Sequence, residues 1–100
     1  MFTMCVYYKA PSDPAAFEKR YVEGHLPLVQ AYDNIKECSF AKVSRRIAGD
    51  FPYEYVFVGL WADKDAWKAD ITSEAAAAAT KDAQEFATQG FDVVTYETLA

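Results

Sequence analysis

The hydrophobic residues of this chain form four runs with the composition of β-strands. Three are short, apolar and rich in β-branched and aromatic side chains, at residues 2–8, 53–61 and 91–97. A fourth and longer run covers residues 35–47 and follows an Asp-Asn turn signal. The pattern therefore predicts four strands, the clearest of them at residues 53–61.

Two helical regions separate these strands, and the first contains a proline near its middle. Ser12 or Asp13 is expected to cap the helix, with Pro14 in the first turn, where a missing N–H costs nothing. Because Pro27 removes a backbone donor, we expect the helix to break or kink near residues 24–25 and to restart at Pro27. The stripe expected to face the sheet holds Phe17, Tyr21 and Leu28, with Val22 and His25 beside them.

The second helical region is divided in two by its capping residues. Asp63 is expected to cap a helix that runs to about residue 71. Ser73 begins another helix, which contains five consecutive alanines at residues 75–79 and ends before Gly90. The buried side of this helix is marked by Phe86 with Ala79 and Ala83.

The order of these elements, β-α-β-β-α-β, is that of the ferredoxin-like arrangement. We therefore expect an α+β fold in one domain, residues 1–100, with a mostly antiparallel sheet and two helices on one face. The strand at residues 53–61 is apolar on both faces, since Tyr55, Phe57, Gly59 and Trp61 alternate with Val56, Val58 and Leu60. Helices cover only one face, so we expect a second copy of the chain on the other, which predicts a homodimer.

Charge and composition restrict the partners and the compartment. The formal net charge of −5 argues against a nucleic-acid partner, because phosphate binding needs a clustered basic surface. No run approaches the ~20 apolar residues of a membrane span, and we expect no signal peptide. Cys5 and Cys38 lack metal-type spacing, so we expect free thiols, no metal site and a cytoplasmic location.

Residues 13–29 carry a more specific pattern. Phe17, Tyr21 and His25 follow one another at four-residue intervals, and His25 is followed by one residue and then Pro-Leu. This segment resembles the signature of the EthD family, and a looser similarity extends over nearly the whole chain. The resemblance implies a dimeric α/β barrel, in which two ferredoxin-like sheets pack face to face. The alanine run departs from the family pattern, so the resemblance does not define the helix register or the far wall of any pocket there.

His25 is the only histidine, and so the only side chain expected to titrate near neutral pH without tuning. At the N-terminus of a helix that restarts at Pro27 its neutral form would be favoured, which suits a proton acceptor. Tyr21 lies one turn earlier and is the second candidate catalytic residue. A purely structural role for His25, capping a backbone carbonyl freed by the kink, is an equal alternative on these residues alone.

Several aromatic side chains are candidates for a substrate pocket. A pocket wall of this kind is apolar, with a few polar tips. Packing in the core is the competing use of most of them. The candidate substrate-binding residues are Tyr8, Phe17, Tyr55, Phe57 and Trp61.

The resemblance implies a superfamily that includes cofactor-free monooxygenases, polyketide cyclases, muconolactone-type isomerases and haem-binding enzymes. The leading hypothesis is a cofactor-free enzyme acting on a small hydrophobic carbonyl or aromatic compound, with His25 as acid or base. The alternative is a non-catalytic protein that binds a hydrophobic metabolite for a partner oxygenase in a degradation pathway. A haem-dependent protein with His25 as axial ligand is the third hypothesis.

Overall fold

The computed structural model describes the whole chain, residues 1–100. One sheet contains β1 (Phe2–Lys9), β2 (Glu37–Lys42), β3 (Tyr53–Trp61) and β4 (Phe91–Glu97) in the order β2-β3-β1-β4, with every neighbouring pair antiparallel. Helices pack on one face of it: α1 (Pro14–Arg20), α2 (Leu26–Gln30), α3 (Lys64–Ile71) and α4 (Glu74–Phe86). A π-helical segment, Tyr21–His25, joins α1 to α2. The predicted α+β, ferredoxin-like architecture is confirmed.

The core lies between the helices and the inner face of β1 and β3. Register places aromatic and aliphatic side chains opposite one another on this face, as at Val6 beside Phe57 and Tyr8 beside Tyr55. Direct cross-strand neighbours on one face pack together, which fixes the register of the pair. The least exposed large side chains of the molecule are found here: Trp61, Tyr8, Tyr21 and Tyr55.

The predicted helix caps are present. Asp13 accepts a hydrogen bond from Ala16 N at 3.1 Å and begins α1. Asp63 accepts from Ala66 N at 2.8 Å and begins α3. Ser73 likewise caps α4. Each cap satisfies an N–H that the first turn of a helix leaves without a partner.

The predicted break or kink in the first helix is present as a change of helix type. α1 ends at Arg20, the chain stays helical through residues 24–25, and α2 begins at Leu26, one residue before the predicted restart, with Pro27 in its first turn. The change is a π-helical turn: the N–H of Leu26 bonds to the carbonyl of Tyr21, which inserts one extra residue into the turn. This insertion shifts the register, so the buried residue of α2 is Val29 rather than the predicted Leu28, and Val22 is 52% exposed.

The predicted strand at residues 35–47 is too long. Strand β2 covers only Glu37–Lys42, although backbone bonds from Lys36 N and Val43 N extend its ladder by one residue at each end. Beyond this point the guanidinium of Arg46 donates to the Phe51 carbonyl at 2.7 Å. The Arg46 side chain therefore stabilises a loop in the region where the sequence predicted further strand pairing.

The outer face of the sheet has no helix over it and is partly apolar. Its central row across the strands consists of Ser39, Val58, Cys5 and Val94. Val94 is 40% exposed and Tyr96, in a neighbouring row, is 45% exposed. The molecule is correspondingly flat, with principal extents of 35 × 32 × 17 Å. No helix of the chain is long and apolar enough to cross a bilayer.

Candidate functional site

A cavity of about 110 Å³ lies between the inner face of the sheet and the helices. Most of its wall is apolar, and small side chains of α4, Ala79 and Ala83, leave the space open. Val93 on the edge strand β4 borders it and is 53% exposed, so the cavity opens to solvent along this edge. The remaining apolar wall consists of Met4, Val6, Val29, Phe57, Ile71 and Phe91.

His25 lies in the wall of this cavity, at the end of the π-helical segment. It is 4% exposed, and its ring packs against Tyr21 and Phe86 with centroids 4.9 and 5.1 Å away. Nδ1 lies 3.0 Å from Asp82 Oδ2. Nε2 makes no hydrogen bond within the protein and is not sealed from solvent, because the only fully buried side-chain polar atom without a partner is the Tyr21 hydroxyl oxygen. The free nitrogen of His25 is therefore the one available to a ligand.

Asp82 connects His25 to Arg20 on the neighbouring helix. Arg20 Nη1 donates to Asp82 Oδ2 at 3.1 Å, and Nη2 donates to Oδ1. The guanidinium also stacks over Phe86, 5.1 Å from the ring centroid. A paired, hydrogen-bonded carboxylate of this kind stays ionised, and the bidentate bond to Arg20 holds the pKa of Asp82 below its usual value.

Burial makes His25 a neutral imidazole. Loss of hydration lowers the pKa of His25 from its ordinary value, and the bond to Asp82 opposes this shift only in part. From the sequence, a neutral ring is expected because of a nearby helix N-terminus. The direction of that expectation agrees with the structure, but the dominant cause is desolvation.

Two tyrosines line the same cavity. Tyr21 is fully buried, and its hydroxyl makes no hydrogen bond of regular geometry, although it lies close enough to the Tyr8 hydroxyl for the two to interact. Burial raises the pKa of Tyr21 strongly and raises the pKa of Tyr8 to about 12, so both keep their protons at physiological pH. An orphaned buried hydroxyl costs about 1–3 kcal/mol, which a bound oxygen atom or a water molecule would recover.

Four of the predicted site residues share the cavity: His25, Tyr21, Tyr8 and Phe57. Three others do not line it. The Tyr55 hydroxyl donates to Glu18 at 2.6 Å, and the Trp61 ring N–H donates to Asp70 at 2.7 Å. Both side chains are thus bound into the core. Phe17 packs against Tyr55, with ring centroids 4.9 Å apart, and belongs to the same part of the core.

Asp82, the hydrogen-bond partner of His25, was not among the residues predicted from the sequence. A signal was present in the pattern of α4. Asp82 falls between Ala79, Ala83 and Phe86 on the stripe of that helix predicted to be buried. A carboxylate on an apolar stripe needs a partner, and Arg20 and His25 are its partners.

A second depression, a groove of about 230 Å³, lies between the start of α1 and the connection from α4 to β4. Lys9, Asp13, Arg20 and Gln89 border it, so its rim is polar. The groove is larger than the cavity, but it lacks a titratable group near neutrality and an orphaned buried polar atom. We therefore place the candidate site in the smaller cavity.

The side chains around His25 do not suit a metal or a haem. No group of three or more His, Cys, Asp or Glu residues is placed to hold a metal ion. A cavity of about 110 Å³ is smaller than the ~150 Å³ that accommodates benzene, so it has no room for a porphyrin. The haem-dependent hypothesis is not supported by the space around His25.

One curated relative is similar in sequence. It is an uncharacterized 11.0 kDa protein in the thcB-thcC intergenic region of Rhodococcus erythropolis, 32% identical over 66 residues. The matched segment covers 66% of this chain and 63% of the relative, a little less than two thirds of its length. No protein-family model matches the chain.

Solved structures match over nearly the full length. An ethyl tert-butyl ether degradation (EthD) family protein from Bacillus halodurans has a TM-score of 0.89 at 19% identity, with 99% of each chain covered. A dimeric ferredoxin-like protein of unknown function from Jannaschia sp. has a TM-score of 0.76 at 15% identity, covering 97% of this chain and 98% of the other. SnoaB, a cofactor-independent oxygenase from Streptomyces nogalater, has a TM-score of 0.70 at 13% identity, covering 99% and 93%. The resemblance to the EthD family that residues 13–29 indicate is thus confirmed in the fold of the whole chain.

Proposed function

We propose that this protein is a cofactor-free enzyme that moves a proton on a small, hydrophobic carbonyl or aromatic compound, with His25 as the acid–base residue. One observation carries the proposal: a buried, neutral imidazole lies in the wall of an apolar cavity, with Nδ1 bound to Asp82 and Nε2 free of any hydrogen bond within the protein. A perturbed titratable group and convergent polar atoms in an apolar pocket are the usual marks of an active site.

The cavity favours a neutral substrate, and at about 110 Å³ it encloses only the reacting end of the molecule. No Lys or Arg side chain lines it, and His25 is its only residue that titrates near neutral pH. An anionic substrate would lose its hydration there without gaining a cationic partner. The opening at Val93 lets part of a longer molecule extend into solvent.

The chemistry follows from the free Nε2 of His25 and from Asp82 behind the ring. Nε2 of His25 accepts a proton from the carbon next to a carbonyl group, and the electron pair of the C–H bond moves to the carbonyl oxygen. A shift of the Tyr21 side chain, whose hydroxyl is sealed from solvent in this structure, would bring a hydrogen-bond donor to that oxygen as charge develops on it. The imidazolium that forms is stabilised by Asp82. Returning the proton to another atom is an isomerisation, while attack of the carbanion on a second carbonyl or on O₂ is a cyclisation or an oxygenation.

The comparisons support this class of chemistry at the level of fold. SnoaB, described as a cofactor-independent oxygenase, has the same sheet and helices without being close in sequence. A fold alone does not determine a reaction, so the proposal depends on His25 and its surroundings.

We further propose that the protein acts as a homodimer formed through the outer face of the sheet. The apolar row of Val58, Cys5 and Val94 has no helix over it; Cys5 is buried by its neighbours, Val58 is half-buried and Val94 is 40% exposed. A second copy would bury it, as an isologous interface does in most homo-oligomers. The dimeric ferredoxin-like protein from Jannaschia sp. supports this arrangement. The free thiols of Cys5 and Cys38 agree with the expected cytoplasmic location.

A non-catalytic binding function is the second candidate. It is favoured by the fact that His25 is the only residue of the cavity expected to transfer protons near neutral pH. Such a protein, serving a partner oxygenase, would retain a ligand without converting it.

Exchange of carbon-bound hydrogen for deuterium separates the two functions. We would incubate the protein with 2-indanone, a small ketone with acidic C–H bonds, in D₂O and follow the α-proton signal by NMR. The enzyme hypothesis predicts exchange well above the buffer rate and a loss of about 10²–10⁴-fold in the His25→Asn variant. Binding of the ketone with no exchange above buffer would support the binding protein instead. Equal exchange by wild type and His25→Asn would remove His25 from the mechanism.

A further inference from the structure

A chain of three polar side chains runs from the rim of the groove to the cavity: Arg20, Asp82 and His25. We propose that Asp82, held in place by Arg20, is the positioning residue that fixes His25 in the tautomer with the proton on Nδ1 and the lone pair on Nε2. Arg20 and Asp82 do not touch the cavity and act only through His25.

The tautomer follows from the donors and acceptors at Asp82. An ionised carboxylate only accepts hydrogen bonds. Since Asp82 Oδ2 lies 3.0 Å from Nδ1, that nitrogen must carry the proton. In a neutral imidazole the other nitrogen then has the lone pair. Nε2, which makes no hydrogen bond within the protein, is thereby the nitrogen that can accept a proton, and Nδ1 is blocked from the role.

Arg20 fixes the orientation of the carboxylate. The two residues lie 62 positions apart, on α1 and α4, and the guanidinium contacts both carboxylate oxygens. A bidentate pair of this kind restricts rotation of the carboxyl group, which leaves Oδ2 directed at the His25 ring. Stacking on Phe86 in turn limits the motion of Arg20. Lysine, with a single ammonium group, does not provide this fork.

No other charge near His25 competes with this pair. Helix α4 presents Asp82 and Phe86 to the ring, and the histidine's own helix presents Arg20 and Tyr21. The remaining polar groups around the cavity are neutral: Tyr8, Tyr32 and Thr80. The charges of Asp82 and Arg20 largely offset each other, so the hydrogen bond to Nδ1, rather than a net charge, sets the tautomer.

The tautomer can be measured without knowing the substrate, because His25 is the only histidine. Protein labelled with ¹⁵N-histidine would be examined by long-range ¹H–¹⁵N correlation NMR at about pH 7.5, above the ordinary pKa of histidine. We expect wild type to show Nδ1 as the protonated nitrogen and Nε2 as the unprotonated one. Asp82→Asn should give a mixed or reversed pattern, and Arg20→Lys an intermediate one. Glu85→Gln, which removes an exposed carboxylate from the same helix, should leave the wild-type pattern.

Two results would overturn the proposal. The first is a wild-type spectrum with the proton on Nε2, a reading that needs no variant to fold. The second is a folded Asp82→Asn protein, verified by circular dichroism, whose histidine spectrum matches that of wild type.

The catalytic consequence of this tautomer, unlike the tautomer itself, rests on the proposed function. In the 2-indanone assay Asp82→Asn should lower kcat by about tenfold or more with little change in KM, since mis-set tautomers of catalytic histidines cost up to about 10⁴-fold. The expected tautomer without any exchange activity would refute the enzyme and leave the positioning pair standing. Exchange that depends on His25 but not on Asp82 would support the enzyme and refute the positioning role of the Asp82–Arg20 pair in catalysis.

Discussion

At the scale of single residues, the two buried polar residues Asp70 and His25 differ in how completely their polar atoms are hydrogen-bonded. Asp70 is 3% exposed and accepts hydrogen bonds from the Asn34 backbone and side chain and from Trp61, which makes it a structural clamp. His25 is different, since Nδ1 is bound to Asp82 while Nε2 makes no hydrogen bond within the protein, and the residue lines a cavity. The polar groups of Asp70 are satisfied within the fold, whereas His25 keeps one nitrogen without a partner.

Stability should fall in mild acid because of His25. Burial lowers the pKa of His25 below 6.5 in the folded state, so between 6.5 and that lower value the unfolded chain binds the proton more readily. The contribution is therefore fully present above about pH 6.5 and is lost as the pH falls towards the folded pKa. Urea titrations at about pH 7.5 and about pH 5.5 should show the lower unfolding free energy at the acidic value.

The His25→Asn variant provides the control for this prediction. Asparagine keeps an N–H donor for Asp82 but does not titrate in this range. The pH dependence between the two conditions should shrink in the variant. The lowered pKa of Asp82 affects stability only near and below its ordinary value of 3.8, outside this window. An equal acid-induced loss in both proteins would show that His25 is not the cause.

At the scale of elements, patterns and caps predicted three strands and every helix start, but not the π-helical segment or the end of β2. The caps are local, so Asp13, Asp63 and Ser73 could be read directly. The π-helical path of the chain through Tyr21–His25 could not be predicted in this way, because a π-helical turn depends on packing against the surrounding core.

The candidate site shows the same division between local and long-range information. Tyr21 and His25 lie on one local motif and were found from it. Their partner Asp82 lies 57 residues away from His25, and only the fold brings the two together. Tyr55 and Trp61 do not line the cavity, and the sequence does not reveal that Glu18 and Asp70 bind their polar ends.

The small alanine side chains of α4 should determine whether a ligand can enter the cavity. Ala79 is 4% exposed and lines the cavity, so Ala79→Leu would fill part of the space. We expect affinity for 2-indanone, measured by NMR titration, to fall at least about tenfold, with a stability change within about 1–3 kcal/mol. Ala78→Leu, on the exposed side of the same helix, is the matched control and should bind normally. Unchanged binding in Ala79→Leu would place the ligand elsewhere.

At the scale of the whole molecule, the flat shape and the bare outer face of the sheet favour a pair of chains. The shortest extent is 17 Å, about half of the other two, and a second copy stacked on the open face would even out the dimensions. Sheets with an apolar face need cover, from a helix, a second sheet or another chain. The proposed homodimer would supply that cover with the chain's own surface.

Sedimentation velocity at micromolar concentration tests this assembly. We expect a species of twice the 11.2 kDa chain mass for wild type. Val58→Glu places a charge in the central row of the outer face and should shift the protein towards monomer, whereas Thr98→Glu, beyond the last strand, should not. A wild-type protein that remains monomeric throughout would contradict the proposed interface.

The pH dependence of 2-indanone exchange tests the central claim, that a buried neutral His25 is the proton acceptor, most directly. Values of kcat/KM report the ionisation of the free protein. We predict a plateau above about pH 7 and a decline at lower pH with an apparent pKa below 6.5, the ordinary histidine value, in the direction that burial imposes. A rate that rises in proportion to hydroxide throughout this range, or a profile that is the same in His25→Asn, would contradict the account.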